Sequence, residues 1–205
     1  MKRLMVFTIL ILLLLLAGCT GTAPQAEPAL PQTEIPTPTP EVPAVIQTTA
    51  PSPFPDAIPL KTVRQIGEGE NIREISVYKY LIRDRYEFHS AEWGRWEPVT
   101  APEGKVFLII FVRVKHIGTV KESYAPYPSV ITIHNDGNTY SYKSGRNPLL
   151  PINNINELEY TGGKLYIHDT KEGFIIYEVP EGIRADETYV SIFISEGNAL
   201  IWKLA

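Results

Sequence analysis

From Lys61 onward the chain alternates apolar and polar residues with the period of a β-strand, not of a helix. Val106 to His116 reads VFLIIFVRVKH. Leu108, Ile110, Val112 and Val114 point one way, and Arg113 and Lys115 the other. The first half of that run is apolar on both faces, which predicts a central place in a sheet. Ile72 to Phe88 carries Ile75, Val77, Tyr78, Tyr80, Leu81, Ile82 and Tyr86 among charges and reads as one or two strands. Val130–His134 and Thr139–Tyr142 flank Asn135-Asp136-Gly137-Asn138, residues that tolerate the positive φ of a tight turn, and so predict a hairpin. Leu158–Tyr160 and Lys164–His168 flank Thr161-Gly162-Gly163 and predict a second one. Phe174–Val179, Tyr189–Ile194 and Ala199–Leu204 complete the set. No stretch sustains a 3.6-residue period with caps. Seven to nine short strands over about 145 residues predict an all-β, antiparallel sandwich.

The first sixty residues follow a different pattern. Lys2 and Arg3 precede an apolar run from Leu4 to Ala17, relieved only by Thr8. Such a run is shorter than the roughly 20 residues that span a bilayer, and its basic start and small terminal residues mark an export signal over 1–18. Eleven prolines then lie between Pro24 and Pro59, interleaved with Thr, Ala, Glu and Gln, and no Lys or Arg occurs from Leu4 through Leu60. Proline fixes φ and removes backbone donors, so 19–60 is expected to be a disordered spacer of polyproline-II character. At about 3.1 Å per residue it gives a reach of roughly 100 Å. The folded domain is expected over 61–205.

Leu16-Ala17-Gly18-Cys19 resembles the lipobox of bacterial and archaeal lipoproteins, in which the signal is cut before a cysteine that then carries lipid. That resemblance implies an anchor at Cys19 and a domain held at the cell membrane on its extracytoplasmic side. Stable attachment takes more than one acyl chain, at about 0.8 kcal/mol per buried methylene. Cys19 is the only cysteine, so a lipidated chain has no thiol left for a disulfide, a thiolate metal site or a nucleophile. Without residues 1–18 the chain keeps 17 basic against 23 acidic residues, a net charge of −6. That balance argues against nucleic acid, whose phosphates are met by clustered Lys and Arg.

Two stretches are similar to a known family. Pro102-Glu103-Gly104-Lys105-Val106-Phe107, running on to Ile117-Gly118, resembles its "P-x-G-K-x-F" entry and hydrophobic strand, with His116 where the family usually has Asn. Lys171 to Gly182 resembles its "G-x-x-x-F-x-V-P-x-G" edge, with Tyr177 in the aromatic place, and a last strand ending Trp202-Lys203-Leu204 also fits. The family is the immunoglobulin-like domain of unknown function that recurs in bacterial and archaeal lipoproteins and is related to a mycobacterial secreted immunogenic protein. The resemblance covers roughly residues 65–204 and implies an immunoglobulin-like sandwich in a cell-surface setting. It carries no catalytic residues over.

Candidate chemistry is sparse. His89, His116, His134 and His168 match no compact ligand spacing, and surface histidines are the expectation, with no metal and no cofactor. No serine sits in a G-x-S-x-G elbow, and Gly67-Glu68-Gly69-Glu70 would repel phosphate. Asp84, Glu87, Glu92 and Glu97 crowd one region, but a hydrolase needs two carboxylates facing across a cleft. Trp93-Gly94-Arg95-Trp96 is the most suggestive local feature. Either Trp93 and Trp96 stack on a sugar, peptide or wall polymer, joined by Tyr124 and Tyr127 if the two loops share an end of the sandwich, or they fold back as a lid over an open edge. The lid is the commoner arrangement. The expected protein is a non-enzymatic, membrane-anchored binding or interaction module for an envelope or surface protein or glycan. The alternative is a small-molecule, glycan or metal-binding accessory lipoprotein of a transporter or envelope enzyme.

Overall fold

The computed structural model describes residues 52–90, 92–142, 151–195 and 198–205. Cys19 and the rest of 1–51 lie outside them. In chain order the strands are β1 (Ile58–Pro59), β2 (Arg64–Ile66), β3 (Arg73–Arg83), β4 (Arg85–Ser90), β5 (Arg95–Thr100), β6 (Lys105–His116), β7 (Glu122–Ala125), β8 (Ile131–Asn135), β9 (Asn138–Ser141), β10 (Gly163–Tyr166), β11 (Thr170–Pro180), β12 (Thr188–Ser195) and β13 (Asn198–Lys203). Nine of them form two sheets, β1-β13-β12-β8-β9 and β11-β6-β3-β2, and the rest pair as two ribbons, β4-β5 and β7-β10. All these pairings are antiparallel except β1 with β13. The chain is an all-β, antiparallel sandwich.

The two-faced apolar run of β6 sits centrally, between β11 and β3. Its even residues Leu108, Ile110, Val112 and Val114 enter the main core with Ile133, Val190, Ile192 and Trp202 of the other sheet. Each such side chain stabilises by roughly 1.5–3 kcal/mol. Two polar atoms are tied down inside the same layer. The Tyr177 hydroxyl donates to the Ile131 carbonyl at 2.8 Å, joining the sheets, and burial pushes that phenol's pKa up. The Trp202 indole donates to the Thr62 carbonyl at 3.1 Å.

Phe107, Ile109 and Phe111 face the other way and build a second cluster with Phe174, Tyr86, Ile152 and Ile155. The β4-β5 ribbon covers this outer face. Tyr86 meets Phe107 edge-on at 4.9 Å, and Phe88 and Val99 pack beside it. A bulge at Tyr78 interrupts the β3–β6 register between Val77 and Lys79. It turns both Tyr78 and Lys79 outward, where Lys79 stands 4.2 Å over the Phe111 ring and Arg113 4.8 Å over Tyr78.

Three expectations are corrected. Thr161-Gly162-Gly163 does not close a hairpin: β10 pairs with β7, and Glu159 bridges Phe174 instead. Gly162 has φ +64°, and a Cβ there would stand 2.3 Å from the Pro126 carbonyl oxygen, so this turn is shaped to let β10 lie beside β7. His116 is not a surface histidine. It is fully buried, and neither ring nitrogen has a hydrogen-bond partner among the described residues. It occupies an even, core-facing position of β6, and its strand partner is Arg73. The tryptophans, finally, are no lid. Trp93 is 63% and Trp96 46% exposed, while Tyr86, Phe88 and Val99 of the same ribbon do the covering. Pairing also begins ahead of Lys61, where Ile58 and Pro59 lie beside Trp202 and Lys203.

Candidate functional site

The β7-β10 ribbon closes the sandwich at the end where β3 starts and β6 finishes. Alternation explains how. Ser123, Ala125, Gly163 and Leu165 are buried, with Leu165 in the main core, and Tyr124, Lys164 and Tyr166 point outward. Pro126 then turns the chain, and Pro128 opens a short 3-10 turn, Pro128–Val130, ahead of β8. Tyr124 and Tyr127, both more than half exposed, are left flanking a shallow cleft of about 290 Å³. Phe193 and Ile194 of β12, Ala125, Pro126 and Val130 supply the rest of its apolar lining, and Arg73 supplies its charge.

Arg73 is held by position. It opens β3 opposite His116, is half-buried, and donates through a terminal nitrogen to the Tyr124 carbonyl. Its Nε is buried without a hydrogen-bond partner, and no carboxylate among the described residues pairs with it. Burial lowers its pKa, partly offset by Tyr160 close by. Tyr160 is buried, donates to the Pro126 carbonyl at 2.8 Å and has its own pKa raised by that burial. Behind Tyr127, the half-buried Lys171 donates to the Gly162 carbonyl. A Cβ on Gly163 would stand 3.5 Å from the Tyr127 hydroxyl and 3.6 Å from Lys171 Nζ, so ammonium and phenol flank the same backbone point. The arrangement offers two aromatic faces, an apolar wall and a guanidinium with unspent donors. Such groups can hold a ligand by stacking, apolar contact and charge.

The other sequence-marked residues go elsewhere. Trp93 and Trp96 sit at and beside the tip of β4-β5 and do not line this cleft. Trp96 meets His89 edge-on at 5.4 Å, and Arg95 pairs with Glu97 at 3.5 Å. Glu87 accepts from Asn153 at 2.8 Å. It pairs with Pro98 and Glu97 with Phe88, so strand alternation puts these carboxylates on opposite faces of the ribbon. His134 bonds Thr132 and Thr139 at 3.2 and 3.1 Å, and His168 sits in a turn with φ +67°. The described residues hold no cluster of three or more His, Cys, Asp or Glu fit for a metal ion.

Sequence reasoning named Tyr124 and Tyr127 but missed Arg73 and Phe193. Arg73 reads as an ordinary strand-edge charge, and Phe193 is supplied from 66 residues beyond Tyr127. Only the pairing of distant strands brings them together.

At the other end of β12 the incoming chain is seated on the sheet. Phe54 packs on His134 and Tyr189, with ring centroids 5.4 and 5.0 Å away, and Ser52 Oγ lies 2.8 Å from the Tyr189 hydroxyl. Tyr189 and Phe193 share the outer face of β12, about 13 Å apart along the strand. The chain therefore enters toward the β8–β9 turn, away from the cleft.

No protein-family model matches the chain, and no curated protein matches it in sequence. Several solved structures are similar to it in fold. A secreted protein of Mycobacterium tuberculosis, MPT63, is 13% identical with a TM-score of 0.45, covering 72% of this chain and 97% of that one. An uncharacterised β-sandwich protein of Clostridium difficile 630 is 18% identical with a TM-score of 0.42, covering 73% and 95%. A protein of Staphylococcus aureus, provisionally described as a lipoprotein, is 13% identical with a TM-score of 0.31, covering 70% and 94%.

Proposed function

We propose that the chain is a lipid-anchored, extracytoplasmic surface protein whose sandwich is a non-catalytic binding module, and that the cleft between Tyr124, Tyr127, Phe193 and Arg73 is its contact site. The observation that carries the reading is the half-buried Arg73, which has donors to spare between exposed aromatic rings. Large apolar rings left in water beside an uncompensated cation cost stability, and a ligand that meets both recovers it. Partners of envelope or surface origin fit this setting, and the acidic net charge disfavours nucleic acid.

Two experiments test it. Cys19→Ala is expected to abolish signal processing and membrane partition, and unchanged partition would remove the anchor. The full chain, titrated with neutral and acidic sugars and short peptides, is expected to show saturable shifts of the Tyr124 and Tyr127 ring resonances that disappear in Tyr127→Ala. Shifts confined to the Trp93 and Trp96 indoles would move the site to the β4-β5 ribbon.

A further inference from the structure

The chemistry of the cleft narrows its ligand, taking as given that it is a binding site. Among the described residues, five groups of charges at or near the surface are paired locally: Lys79 with Glu157, Arg95 with Glu97, Arg113 with Glu172, Lys164 with Glu122, and Arg184 with Asp186 and Glu187. Arg73 and Lys171 are more buried than most of these cations, yet the partners they find are backbone carbonyls. Among the described residues, none that lines the cleft is acidic. Arg73 lines the cleft with one terminal nitrogen held by the Tyr124 carbonyl, and the rest of its planar guanidinium fork suits a carboxylate. The aromatic walls suit a ring with an apolar C–H face next to that carboxylate. The volume, about 290 Å³, is at the small end for ligand pockets and suits one ring.

We infer that the cleft receives an acidic sugar unit, a uronate, with its carboxylate on Arg73, its ring against Tyr124, Tyr127 and Phe193, and Lys171 reinforcing the anionic side next to Tyr127. A neutral hexose satisfies the rings but leaves the guanidinium unpaired. Inorganic phosphate satisfies the cation but leaves the rings in water. The carboxylate of a peptide with an aliphatic end, such as N-acetylalanine, meets Arg73 without a ring to cover both tyrosines.

The test is a calorimetric and NMR titration of the full chain in detergent micelles with glucuronate, glucose, inorganic phosphate and N-acetylalanine. Glucuronate is expected to bind at least tenfold tighter than each of the other three, a difference of about 1.4 kcal/mol, and to weaken as salt is raised. Arg73→Gln is expected to erase that preference and Lys171→Gln to weaken glucuronate a few-fold. If Arg73→Gln lowers the unfolding midpoint, Tyr127→Ala and the salt dependence of the unmodified chain decide instead, both expected to weaken glucuronate several-fold. Glucose binding as tightly as glucuronate overturns the inference, as does indifference to Arg73 or a tighter fit for phosphate or N-acetylalanine. Those outcomes leave the binding module standing on another ligand. If no probe of any class moves the Tyr124 or Tyr127 signals, the uronate and the cleft fall together.

Discussion

The two ribbons laid on this sandwich are built alike and present different surfaces. Each turns residues inward against the sandwich, the buried Tyr86 and partly buried Phe88 from β4-β5, the buried Ser123 and Leu165 from β7-β10, and each leaves aromatic rings outside. On β4-β5 the outward rings are the more conspicuous tryptophans, but the neighbouring charge is neutralised, Arg95 by Glu97. On and just after β7-β10 the rings are tyrosines, and the neighbouring cation Arg73 lines a cleft with no carboxylate paired to it among the described residues. Exposed aromatic area alone therefore marks a weaker candidate than a smaller aromatic area beside an uncompensated charge.

Substitutions that separate the ribbons sharpen the contrast. The largest effect is expected from Leu165→Ala, which opens a cavity where β10 meets the main core. It is expected to cost about 2–5 kcal/mol in denaturant unfolding and to loosen the cleft with it. A loss below about 1 kcal/mol would mean that β7-β10 is not integral to the core. Gly162→Ala comes next, because its φ is positive and its Cβ would meet the Pro126 carbonyl. It is expected to cost about 1–3 kcal/mol and to shift the Tyr127 resonances while leaving the Trp96 indole signal in place.

A pH effect is smaller. Burial lowers the His134 pKa in the folded chain, so its contribution to stability is full above the unfolded value near 6.5 and is lost as pH falls below it. Protease cleavage near Phe54 is therefore expected to quicken below pH 6.5, and His134→Gln to flatten that dependence. A rate independent of pH in the unmodified chain would detach Phe54 from His134. Trp93→Ala is expected to move stability least, within about 0.5 kcal/mol, since its ring is largely in solvent. A larger loss would show that the β4-β5 tip is part of the cover.

Much of this architecture is written locally. The two-faced run of β6 announces a central strand, because only a strand with neighbours on both faces buries Phe107, Ile109 and Phe111 as well as Leu108, Ile110 and Val112. Asn135-Asp136-Gly137-Asn138 announces the β8–β9 hairpin, where Asp136 and Gly137 take φ of +47° and +71°. The irregular spacing of Val77, Tyr78 and Tyr80 hides a bulge, and a period-two reading carries no term for one extra residue. Thr161-Gly162-Gly163 misleads for a related reason. Positive φ permits a turn, but the partner strand is chosen by what seals the open end of the core.

The site divides along the same line. Strand period, turn chemistry and the Pro-rich stretch before Lys61 follow from each residue's own φ preference and its immediate neighbours, so the all-β class and the tyrosines at 124 and 127 were open to reading from the chain. Which charges stay unpaired is a different matter. It depends on backbone carbonyls and carboxylates brought in from strands tens of residues apart, as Tyr124 is to Arg73 and Gly162 to Lys171. Burial works the same way: it left Trp93 in water and enclosed His116 because solvent access is a property of the packed sheets, not of any stretch of chain.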